Sequence, residues 1–121
     1  MKIAVTATGA DLASEVDPRF GRCEYIVIVD PETMQFEALE NTGLTASGGA
    51  GIATGQLVAG KDVNVVLTGN CGPNAHQVLT AAGIEIVTGV SGTVRDAVIQ
   101  YQAGTLQPSS QANVAAHHGQ K

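Results

Sequence analysis

Residues 66–101, VLTGNCGPNAHQVLTAAGIEIVTGVSGTVRDAVIQY, constrain the fold of this chain more than any other stretch. Twice in succession a short apolar run is followed by a glycine-bearing loop and then by a helical pattern. Such repeats build parallel sheets, because parallel neighbours need a crossover connection and the crossover is usually a helix. The first loop, Gly69-Asn70-Cys71-Gly72-Pro73-Asn74, holds one of the two cysteines. Pro73 suits the first turn of a helix running to Ala82, and Gly83 suits its stop. The second loop, Gly89-Val90-Ser91-Gly92-Thr93, follows a strand over 84–87 and opens a helix over 93–102, with Thr93 and Asp96 at capping-box spacing.

The remaining elements are set by the same signals. A β-branched strand spans 2–7, and 8–22 is irregular and rich in turn formers. A strong strand over 24–30 is closed by Asp30-Pro31-Glu32-Thr33, and 34–41 alternates imperfectly, as a half-solvated hairpin partner would. Residues 42–51 read as a glycine- and serine-rich loop, 52–61 as a helix weakened by Gly55, and 64–68 as a buried strand. The order β-β-β-α-β-α-β-α predicts an α/β fold: a five-stranded mixed sheet with an N-terminal β-hairpin and helices on both faces. Right-handed crossovers make the first, fourth and fifth strands parallel and adjacent. Segments 8–23, 69–74 and 89–93 then emerge at one rim, which brings Cys23 and Cys71 together. Residues 1–106 are expected to form one domain. Residues 107–121, including His117-His118, lack periodicity and are expected to be a disordered tail.

Composition removes several classes of function. Aromatic residues make up 3% of the chain and the net charge is −5, so neither base stacking nor a phosphate-backbone footprint is supported. The apolar run at residues 1–7 is too short for a secretory signal, and no run approaches the roughly 18 residues of a membrane span. A cytoplasmic location with two free thiols is the expectation. There is no G-x-x-x-x-G-K-[ST] loop. The run Gly49-Ala50-Gly51-Ile52-Ala53-Thr54-Gly55 only imitates a dinucleotide fingerprint: it does not follow the first strand, and no acidic residue ends the next one. No nucleophile–base set or carboxylate pair can be assembled, which argues against an enzyme.

What remains suits a bound anion or metal. Cys71 precedes a helix N-terminus, whose dipole favours the thiolate that ligates metal, although a small loop residue could stand there for no chemical reason. Cys23 follows Arg19-Phe20-Gly21-Arg22, whose guanidinium groups could stabilise a thiolate or an anionic cluster. It could equally be a half-buried residue at a strand entry. Neither cysteine belongs to a C-x-x-C pair, and two thiols alone do not complete a tetrahedral site. His76, one turn into the helix after Cys71, is a candidate ligand or a solvated helix residue. Backbone N–H groups around Gly69, Asn70, Gly72 and Asn74, and around Ser91, Gly92 and Thr93, form two donor loops at helix N-termini.

With these residues in view, the chain resembles the dinitrogenase iron–molybdenum cofactor biosynthesis family, the group of NifX, NafY and the orange protein. The marks are the MKIAV start, Arg19-Phe20-Gly21-Arg22 before a strand, Leu67-Thr68-Gly69-Asn70-Cys71-Gly72-Pro73-Asn74-Ala75, and Gly89-Val90-Ser91-Gly92-Thr93-Val94. The resemblance runs from Met1 to about Leu106. It implies a ribonuclease H-like three-layer fold without nuclease activity. It also implies a non-catalytic carrier or chaperone for an iron–molybdenum cofactor precursor or a related molybdenum–copper–sulfide cluster, in a nitrogenase accessory role in an anaerobe. On that reading Cys71, with Cys23 and His76 as seconds, would contact the metal, and Arg19, Arg22 and the two loops would hold the cluster. Partners would be a cluster donor or acceptor protein. The alternative is a cluster-free interaction module that partners an ATPase or another accessory protein.

Overall fold

The computed structural model describes residues 1–42 and 49–106. Five strands and three helices follow one another as β1 (Ile3–Ala7), β2 (Tyr25–Val29), β3 (Phe36–Glu40), α1 (Ala50–Ala59), β4 (Val65–Leu67), α2 (Pro73–Ala81), β5 (Glu85–Val87) and α3 (Val94–Gln102). The sheet order is β3-β2-β1-β4-β5. β1, β4 and β5 are parallel neighbours, with Ile3 opposite Val65 and Val65 opposite Glu85. β1 pairs antiparallel with β2, and β2 with β3. The expected mixed sheet and its parallel half are both present.

Side-chain alternation divides the core in two. Odd-numbered residues Ile3, Val5, Val27, Val29, Val65 and Leu67 face α3 through Val94, Ala97 and Val98. Even-numbered Ala4, Ile26, Ile28, Val66 and Ile86 face α1 and α2 through Val58, Ala75 and Leu79. A central strand buried on both faces must be apolar throughout, and IAVTA of β1 is buried at all five positions. The one hydroxyl in it, Thr6, is satisfied by the Asp17 carbonyl at 2.7 Å and by Thr68 Oγ1 at 2.8 Å. β3 lies at the sheet edge, where FEALE is largely exposed.

One boundary differs from expectation. The glycine-rich loop was expected to run through Gly51, but α1 already begins at Ala50. Glycine lowers helix propensity, so the sequence pattern hides this first turn; its close packing against two neighbours, described below, makes up for that. Most of the expected 42–51 loop and all of the expected tail lie outside the described residues. No described helix is long and apolar enough to cross a membrane.

Candidate anion-binding cleft

Two close backbone approaches build the site. The first joins the segment after β1 to the loop after β4. Asn70 N–H donates to the Pro18 carbonyl at 2.7 Å, and Phe20 N–H donates to the Asn70 carbonyl at 3.2 Å. A Cβ at Gly69 would stand 2.6 Å from Pro18 Cα, so only glycine permits this pairing. The second approach brings Gly21 onto the start of α1, where a Cβ at Gly21 would meet Gly51 N and Cα at 2.8 Å. Gly51 in turn sits over α2, with its own hypothetical Cβ 3.4 Å from that of Ala75. The start of α1, the start of α2 and the loop 20–22 thereby surround a cleft of about 390 Å³.

The electrostatics of this cleft are one-sided. A helix leaves the N–H groups of its first turn without intrahelical acceptors, and the aligned peptide dipoles place about half a positive charge there. Serine, threonine, aspartate or asparagine normally caps those donors. Here both N-caps are glycines, Gly49 for α1 and Gly72 for α2, and neither helix has a side-chain cap or an acidic residue in its first turn. Both N-caps line the cleft, as do Gly51 and Asn74. Among the described residues its only charged lining residue is the exposed Arg22. In a chain of net charge −5 this is a local excess of positive potential.

The third helix shows the contrast. At the start of α3, Thr93 Oγ1 accepts the Asp96 N–H at 3.1 Å. The Val94 N–H donates to the Ser14 carbonyl at 2.9 Å, and the Arg95 N–H to the Leu12 carbonyl at 3.0 Å. The first-turn donors of α3 are already engaged inside the fold. Ser91, Gly92 and Thr93, expected to share an anion site with the 69–74 loop, do not line this cleft; segment 12–16 packs beside them, with the Val16 N–H on the Gly92 carbonyl at 2.8 Å. Sequence shows a glycine-rich loop before a helix in either case, and only tertiary contacts reveal whether its amides are free.

The other expected site residues divide. Gly72, Asn74 and Arg22 line the cleft, while Gly69 and Asn70 form the clamp behind it. Arg19 points elsewhere, its Nε 3.4 Å from Asp17 Oδ1. Cys23 and Cys71 do lie in one cluster, but that cluster is the apolar core under α1 and α2, and both are fully buried. Burial pushes the Cys71 thiol up to about 11 and, aided by the nearby Asp17 charge, the Cys23 thiol up to about 12. The setting of Cys71 is therefore not the exposed, thiolate-favouring one expected, since desolvation by burial raises its pKa. His76 Nδ1 lies 3.4 Å from Thr80 Oγ1 along the helix, and its Nε2 is buried without a partner. No three His, Cys, Asp or Glu side chains among the described residues are grouped to hold a metal ion. Lining residues not anticipated are Phe20, Gly21, Pro73, Ala75 and the run 49–52. The available signal was Gly49-Ala50-Gly51, a small-residue run ahead of a helical pattern.

Comparison with known proteins agrees with this architecture. Residues 1–104 match the family described as dinitrogenase iron–molybdenum cofactor. The apo form of the orange protein from Desulfovibrio gigas superposes with a TM-score of 0.90 at 43% identity, over 93% of this chain and 95% of that one. A Thermotoga protein provisionally assigned as NifB superposes with a TM-score of 0.77 at 34% identity, over 88% of this chain and 91% of that one. An uncharacterized protein of Methanocaldococcus jannaschii is 29% identical over 110 residues, 88% of this chain and 90% of that one.

Proposed function

Because the chain belongs to the dinitrogenase iron–molybdenum cofactor family, we propose that it is a non-catalytic cytoplasmic carrier of a molybdenum-containing metal–sulfur cluster, held at the cleft between α1 and α2. One observation carries the reading: two uncapped helix N-termini and Arg22 share a cleft that has no acidic residue among its described lining. A cluster of this class presents sulfido ligands, which are anionic acceptors. The first-turn N–H groups of α1, together with those of Asn74 and Ala75, would donate to that surface, and Arg22 would offset its charge. Pro73 brings no N–H, so α2 contributes from its second helical position onward. Phe20, Ile52 and Pro73 supply apolar walls that would exclude water from the cluster.

Binding through amides and a guanidinium needs no thiolate, and the buried, protonated cysteines favour that mode over direct sulfur ligation. The carrier would receive its cargo from a donor protein and release it to an acceptor, since the cleft holds it without covalent attachment. The strand order β3-β2-β1-β4-β5 supports the ribonuclease H-like assignment of the fold. The test is anaerobic addition of tetrathiomolybdate, a small molybdenum–sulfide anion, to the apo-protein. Bound metal in a fixed stoichiometry and a shifted visible spectrum are expected. Equal loading of an unrelated acidic protein, or none of this one, refutes the reading.

A further inference from the structure

The loop that carries Arg22 is tied down by a buried polar cluster that the cargo site does not itself require. Cys23 and Thr54 are fully buried, and Asn41 is 5% exposed. Asn41 Nδ2 donates to the Cys23 carbonyl at 2.9 Å and to the Gly21 carbonyl at 3.3 Å. It also lies 3.6 Å from Cys23 Sγ. Thr54 Oγ1 donates to Asn41 Oδ1 at 2.9 Å and stands 3.5 Å from the Gly21 carbonyl. The Cys23 thiol donates to the Phe20 carbonyl at 3.1 Å. The carbonyls of residues 20, 21 and 23 are thereby each bound by a side-chain donor on the interior side of the loop.

The direction of these carbonyls matters to an anion. A carbonyl oxygen is the negative end of its peptide, and turned into the cleft it would repel the cargo that the helix N-termini attract. We propose that Asn41, Thr54 and Cys23 are positioning residues that hold the carbonyls of the 20–23 loop away from the cleft, so that a bound anion meets only N–H groups and Arg22. This rests on the cleft being the cargo site. The cluster ties three elements together: Asn41 immediately follows β3, Thr54 is in α1, and Cys23 precedes β2. Gly21, drawn inward by two of these bonds, is the residue that packs on Gly51 at the start of α1. Buried polar groups are costly in an apolar core unless fully paired, and these three pair with one another and with the loop. The thiol serves here as an S–H donor, a role that requires its proton, and burial keeps that proton in place.

Tetrathiomolybdate affinity, measured anaerobically with a thermal melt for each protein, tests the assignment. Cys23→Ser keeps a donor to the Phe20 carbonyl and is expected to bind within about twofold of wild type, whereas Cys23→Ala, Asn41→Leu and Thr54→Val bind about tenfold more weakly. If Asn41→Leu fails to fold, the nearly isosteric Thr54→Val carries the same comparison. The proposal is overturned if wild type binds while Thr54→Val and Cys23→Ala bind equally well. It is also overturned if Cys23→Ser loses binding as fully as Cys23→Ala, which would make the sulfur a ligand. Wild type that binds no tetrathiomolybdate overturns the cleft reading, and the positioning role with it.

Discussion

Arg22 and Arg19 are three residues apart, carry the same charge and are both exposed, yet the structure places them differently. Arg22 lines the cleft, whereas Arg19 is paired with the buried Asp17 carboxylate and lies outside it. Replacing each by glutamine removes one positive charge without adding a negative one. A unit charge in contact with an anion, at about 4 Å, is worth about 1 kcal/mol in bulk water and about 4 kcal/mol at an effective dielectric of 20. Arg22 is exposed, so a value near the water end applies for each unit of cargo charge, about 2 kcal/mol for a dianion. Arg22→Gln should therefore weaken tetrathiomolybdate binding by about 30-fold at low salt, with a smaller loss as ionic strength rises. Arg19→Gln should change it by less than about threefold, since that guanidinium is already engaged and sits outside the cleft. Equilibrium titration followed by visible absorption, at two salt concentrations, measures both. Equal losses for the two variants, or a larger loss for Arg19→Gln, would refute the assignment of the cleft.

Three further outcomes follow from the geometry. Thr93→Ala removes the cap of α3 and should lower stability by about 1 kcal/mol in denaturant unfolding, while leaving tetrathiomolybdate affinity unchanged because α3 contributes nothing to the cleft. Gly69→Ala drives a Cβ into the Pro18 backbone at 2.6 Å and should destabilise the protein by about 1–3 kcal/mol, a loss readable as a lowered melting temperature. Both thiols have folded values raised, to about 12 for Cys23 and about 11 for Cys71, from an ordinary 9.0. Above pH 9 the unfolded chain loses these protons and the folded one keeps them, so stability is fully present below that pH and falls as pH rises through about 11 to 12. A Cys23→Ser/Cys71→Ser double variant should show a shallower fall. Rapid alkylation of both thiols in the native protein at pH 8 would contradict their burial.

The fold was legible in the chain because its elements obey local rules. Pro73 begins α2 and Gly83, at a positive φ of 78°, follows it, while Thr93 caps α3 at the expected place. Connection handedness makes the first, fourth and fifth strands parallel and adjacent, as they are, and segment 8–23 meets segment 69–74 through the Asn70–Pro18 and Phe20–Asn70 backbone bonds. The site was only half legible, for two physical reasons. Whether a glycine loop offers free amides depends on what packs on it: Leu12 and Ser14 occupy the amides of α3, and no sequence pattern announces that. Whether a cysteine is reactive depends on its burial, and Cys71 beside two glycines reads as exposed although it is enclosed under α1 and α2. The glycines of 49–55 imitate a nucleotide motif without completing it. Their spacing instead records packing, with Gly51 against Gly21 and Ala75, and Gly55 against Val78, where an added Cβ would meet Cγ1 at 3.0 Å.

On the proposed function, the free amides at the starts of α1 and α2, rather than those of α3 or the thiols, receive the anionic cargo. Backbone amide chemical shifts, followed while the ¹⁵N-labelled apo-protein is titrated anaerobically with tetrathiomolybdate, test it directly. The largest perturbations are expected at Ala50, Gly51, Ile52, Asn74 and Ala75, with Arg22 also affected and Val94 and Arg95 unmoved. Perturbations centred on Val94 and Arg95, or confined to Cys23 and Cys71, would contradict it.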